Sequence, residues 1–96
     1  MDRPRLYVDF NEMVEANLVL LAQEDRKVDS AGNMVVLAPG LMVHVYMDDV
    51  DEDGRDDPLI ADGVVERSPG AGWTAPARWC CRIDSNGIRR ASETPT

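Results

Sequence analysis

From residue 41 to residue 47 apolar and polar positions alternate. Leu41, Val43, Val45 and Met47 fall on one side, and Met42, His44 and Tyr46 on the other. A period of two predicts a β-strand with one buried face. Residues 48–58 interrupt the pattern with an acidic loop. Residues 59–68 resume it, with Gly63 inside the run. A glycine there predicts a bulge or a sharp bend. Residues 69–73 read as a Gly-rich turn and 74–83 as a further strand. In that strand Trp79, Cys81 and Ile83 share one face, and Arg78, Cys80 and Arg82 the other. Asn86-Gly87 predicts a tight hairpin turn, with residues 88–92 pairing back.

Upstream, residues 17–23 are apolar on both parities and read as a strand that needs cover on both faces, which makes a homodimer an expectation. Residues 24–33 are polar and turn-like. Residues 34–40 form a short β-rich run closed by Pro39-Gly40. Residues 9–16 suggest a short helix. Asp9 would cap it, Glu12 lies three residues on, and Phe10, Met13 and Val14 would share a face. Residues 1–8 read as an extended arm. The chain is therefore expected to be one mainly β domain: an arm and helix over 1–16, a β-barrel over 17–92 and a frayed tail over 93–96.

The run through Pro39-Gly40 and residues 41–47, the Ala61-Asp62-Gly63 step, residues 77–83 and the Asn-Gly turn together resemble the SH3-like small barrels, which include the Tudor and KOW-type modules. The resemblance covers roughly residues 34–92. It implies a single antiparallel barrel and a binding module, with the acidic loop between the first two meander strands. Fold likeness of this kind carries no particular activity.

Ninety-six residues suffice for one core, and 44% hydrophobic content suits a globular domain. Aromatics are few, so the core must be mostly aliphatic. The net charge of −8 is uneven: residues 1–66 carry 16 acids against 5 bases, and residues 67–96 carry 2 acids against 5 bases. An acidic chain repels phosphate backbones, which disfavours nucleic acid as a partner. No apolar run is long enough to span a bilayer, and the first ten residues lack the apolar stretch of a signal peptide. A cytoplasmic location follows as an expectation. Cys80 and Cys81 are adjacent and read as free thiols.

Candidate chemistry is sparse. Asp49, Asp51, Asp53 and Gly54 match the first half of a calcium loop, and Asp57 falls at the ninth position. The twelfth position is Ile60, where a bidentate Glu is expected, so a solvated turn competes with a cation site. His44 is the single histidine, and no nucleophile or orienting partner is legible beside it. The cysteines lack the spacing of a zinc site. Cys80 would lie outward between Arg78 and Arg82, whose charge can lower a thiol pKa, whereas Cys81 would lie inward. Tyr46, Trp73 and Trp79 suggest a cage for a methylated amine, but alternation assigns Trp79 to the core. Neither an enzyme activity nor a cofactor is expected. The expected function is a non-enzymatic module binding a protein partner through His44, Tyr46, Arg78 and Arg82. The alternative is a small calcium-binding protein using Asp49, Asp51, Asp53 and Asp57. The outer arginines can equally neutralise the chain's own acids.

Overall fold

Alternation at residues 42–47 translates directly into burial. Val43 and Val45 are inaccessible to solvent, whereas His44 and Tyr46 are half-buried. The computed structural model describes residues 3–68 and 78–93. Among these residues lie nine strands: β1 (Arg5–Tyr7), β2 (Met13–Glu15), β3 (Leu18–Ala22), β4 (Arg26–Val28), β5 (Met34–Val36), β6 (Met42–Met47), β7 (Leu59–Arg67), β8 (Trp79–Ile83) and β9 (Arg89–Arg90). A 3₁₀ turn follows at Ala91–Glu93.

The main sheet runs β1-β6-β7-β8-β3-β2, and β4 and β5 form a separate ribbon. The chain is mainly β, as its patterning predicts, and β6, β7 and β8 make the expected antiparallel meander. The expected closed barrel does not form. β1 and β2 are the two ends of the sheet and are not paired with each other, and β1 joins β6 in parallel.

The core lies on one face. Leu6, Val19, Val43, Val45, Ala61, Val65, Cys81 and Ile83 point into it, together with Trp79 and Leu21. Val8, Phe10 and Leu37, from segments beside the strands, complete the buried set, and Val35 packs against it. Open sheets need such lids because an uncovered apolar face remains in water.

The short helix expected over 9–16 is absent. Asp9 instead organises a turn: its Oδ1 accepts the Asn11 amide at 2.9 Å and its carbonyl accepts the Glu12 amide at 2.9 Å. Met13–Glu15 then pairs with β3, with a register shift between Met13 and Glu15. Two helical turns are marginal alone, and a neighbouring strand satisfies the same backbone groups.

The Asn-Gly turn is also used differently. Asp84 accepts the Asn86 amide through Oδ1 and the Gly87 amide through its carbonyl, and Gly87 has φ +68°. The chain does not fold back on β8. β9 instead pairs Leu59 with Arg90 and Ile60 with Arg89, on β7. β7 is nine residues long, so β8 and β9 occupy successive lengths of it, at residues 63–67 and 59–60.

Candidate functional site

The register fixes what the outer face of the sheet presents. Tyr7 pairs with Tyr46, which pairs with Ile60, which pairs with Arg89. Arg5 pairs with His44, which pairs with Asp62. Alternation turns these side chains away from the core.

Two groups result. In the first, the Tyr7 and Tyr46 rings meet edge to face, with centroids 5.5 Å apart, and the Arg5 guanidinium lies 5.1 Å from the Tyr46 ring centre. Tyr7 remains 45% exposed. In the second, His44 Nδ1 is hydrogen-bonded to Asp62 Oδ1, and Arg89 Nη2 donates to Asp62 Oδ2 at 3.2 Å. Burial pushes the Asp62 carboxyl up, but the bonds from His44 and Arg89 outweigh it and hold it below the usual range.

Of the four predicted contact residues, His44 and Tyr46 therefore lie side by side. Arg82 shares their outer face two strands away and is engaged within the chain. Its Nε and Nη2 bond both oxygens of Glu66, at 3.0 and 3.1 Å, and its Nη1 bonds Glu15 at 2.7 Å and Asn17 at 2.9 Å. The guanidinium beside Glu66 holds that carboxyl low, and its own pKa is raised in turn. Arg78 is exposed and lies 3.6 Å from Asp25. Arg5, Tyr7, Asp62 and Arg89 were not among the predicted contacts. Arg5 and Tyr7 do alternate with the buried Leu6 and Val8, which is the signal that could have marked β1 as a strand.

The acidic loop uses its carboxylates internally. Asp49 Oδ2 lies 3.2 Å from Arg90. Asp51 Oδ1 accepts the amides of Asp53 and Arg55, each at 2.9 Å, and Asp53 is exposed. Asp57 is only 5% exposed and bonds Ser92. Among the described residues no group of three or more His, Cys, Asp or Glu side chains is placed to hold a metal ion. Trp73, the third ring of the suggested cage, lies outside the described residues. Trp79 belongs to the core.

Cys80 corrects a further expectation. It is on the outer side, opposite Leu20 and Glu66, yet it is fully buried. Burial pushes its thiol up despite a hydrogen bond with Ser68, and burial pushes Cys81 up to about 12. The Arg82 charge favours the thiolate of Cys80, but burial outweighs it, and Glu66 and Glu15 oppose it. Both thiols should resist iodoacetamide at neutral pH and react fully in denaturant, since the thiolate is the reactive form. Labelling of native Cys80 within minutes would contradict its burial.

The carboxylate network carries a pH dependence. Asp62 and Glu66 bind a proton less readily in the native chain than unfolded, so protonation favours unfolding. Their contribution is complete above about pH 5 and is lost as pH falls through their lowered folded values. Melting temperature should drop between about pH 5 and 3, and Asp62→Asn should flatten that slope. An unchanged slope would exclude Asp62 as its source.

No helix among the described residues is long and apolar enough to cross a membrane. Compared with protein-family models, curated proteins and solved structures, the chain matches none.

Proposed function

We propose that this chain is a non-enzymatic interaction module that binds a protein partner through the outer face of β1 and β6. One observation carries the reading: two tyrosines and an arginine stack together on a surface that the chain leaves partly exposed. Tyr and Arg dominate interface hot spots because they bring large contact area and fixed donors at modest entropic cost. His44 extends the patch, with its ring oriented by Asp62. Arg82 has its donors engaged within the chain, so the contact centres on His44 and Tyr46, with Arg5 and Tyr7 added. The analogy with SH3-like modules, whose meander β6, β7 and β8 resemble, points to the same class of function and nothing narrower. The calcium-binding alternative has no comparable observation behind it.

The test compares wild type with a Tyr7→Ala/Tyr46→Ala variant as baits in a reducing extract, across a salt series. A partner retained by wild type and lost by the variant, at equal circular dichroism, is the expected result. Equal capture by both would remove this face from binding.

A further inference from the structure

Arg89-Arg90-Ala91-Ser92 ends in a hydroxyl that latches the chain to a buried carboxylate. Ser92 donates its amide to Asp57 Oδ1 at 3.0 Å and its hydroxyl to Asp57 Oδ2 at 2.8 Å. Arg90 Nη1 lies 3.2 Å from Asp49 Oδ2 and 3.9 Å from Asp57 Oδ2, and donates to the Asp57 carbonyl at 3.4 Å. The Ala91 amide bonds the Pro58 carbonyl at 2.9 Å. These contacts hold the two-residue β9 against β7.

We infer that Ser92 is a phosphorylation site for a protein kinase that reads arginines on the N-terminal side of its target, and that phosphorylation releases this latch. Kinases distinguish substrates by charge pattern, and Arg89 and Arg90 lie three and two residues before the hydroxyl. Ser92 is itself exposed, and the turn Ala91–Glu93 contains no buried residue. Local opening therefore uncovers little apolar surface. The kinase transfers the γ-phosphoryl group of a nucleoside triphosphate to Ser92 Oγ. Its catalytic carboxylate takes the hydroxyl proton, and the nucleoside diphosphate leaves with the electrons of the broken P–O bond.

Charge then decides the outcome. The latch holds two carboxylates, Asp49 and Asp57, against the Arg90 guanidinium. A phosphate adds a charge of about −1.5 to −2. The esterified oxygen can no longer donate to Asp57, and the new anion would face a carboxylate that is already buried. Repulsion outweighs what Arg90 can offset, so the segment leaves. Its departure uncovers the edge of β7 at Leu59 and Ile60, a row of backbone groups that a partner strand can pair with.

The experiment incubates the folded chain with magnesium, ATP and an arginine-directed serine kinase, and maps the phosphate by mass spectrometry. One phosphate at Ser92 in wild type, and none there in Ser92→Ala, is expected. Asp57→Asn weakens the latch while leaving the four-residue motif intact, and should be phosphorylated several-fold faster. Native hydrogen exchange on the phosphorylated wild type should show the Ala91 and Ser92 amides exchanging at least tenfold faster; this readout needs no variant to fold. Absence of phosphate from wild-type Ser92 would overturn the site. Unchanged protection of those amides, or slower phosphorylation of a folded Asp57→Asn, would overturn the release.

Discussion

Gly63→Ala should lower stability by about 2–3 kcal/mol, although it adds a single methyl group. Gly63 sits in β7 between Val43 of β6 and Ile83 of β8. A Cβ built there would lie 2.4 Å from the Arg82 carbonyl oxygen and 2.5 Å from Cys81 Sγ. The nearest obstacle is backbone within a hydrogen-bonded ladder, so it cannot swing aside as a flexible side chain would. Relief requires β7 and β8 to separate, and the ion pair between Arg82 and Glu66 crosses that seam. The melting temperature should fall by roughly 10–20 °C for a domain of this size. Gly87→Ala is the informative comparison. Gly87 has a positive φ, but nothing lies within 4 Å of an added Cβ. Its cost is conformational only and should be about 1 kcal/mol. Equal stability of Gly63→Ala and wild type, or a larger loss at Gly87, would show that β7 and β8 do not approach as closely as this.

The same glycine marks where sequence reasoning reaches its limit. Period two identifies β6, β7 and β8, because each run is five or more residues with one side in the core. It also assigns Trp79, Cys81 and Ile83 to one face and Cys80 to the other. Alternation says which way a side chain points and says nothing of whether that side is covered, so Cys80 was expected in solvent and is buried. Gly63 signals an irregularity without distinguishing a bend from a close approach. β4 is three residues long, too short for a period to register, and lies within a stretch that reads as polar, whereas β1 carries its alternation only over residues 5–8. β9 was legible as extended chain, but its partner was not. A hairpin turn and a loop that passes on to β7 begin with the same Asn-Gly pair. The acidic loop shows the same limit from the polar side. Asp57 resembles its solvated neighbours in sequence, yet it is the member that ties residue 92 to the fold, so a replacement loop that removed it would cost more than its exposed companions. The candidate face was half legible. His44 and Tyr46 follow from one strand, whereas Asp62, Arg89, Arg5 and Tyr7 reach them only through pairings that cross 15 residues of chain or more.

Trp79→Ala should be the most damaging single truncation, at about 3–5 kcal/mol. The ring is 3% exposed and belongs to the core. It stands at the start of β8, opposite Ala22 of β3 and Arg67 of β7, where the β3 register shifts between Leu20 and Ala22. Ala22 packs against the same core as the ring. Two polar contacts then hold its orientation. Nε1 donates to Asp25 Oδ1 at 3.0 Å, and the Arg67 guanidinium lies 4.9 Å from the ring centre. Alanine would leave a cavity, remove the indole donor to Asp25 and free Arg67 together. Trp79→Phe separates these effects. It keeps most of the volume and loses the indole donor, so about 1–2 kcal/mol should follow from the bond to Asp25 and the imperfect fit. Cys80→Ser should cost less than Trp79→Ala, because Ser68 is at hand to pair with the new hydroxyl. Urea unfolding followed by circular dichroism gives all three values, with the midpoint falling and the slope unchanged if only stability moves. A loss under 1 kcal/mol for Trp79→Ala, or a larger one for Cys80→Ser, would mean that β8 is slipped by one residue and that its faces are exchanged.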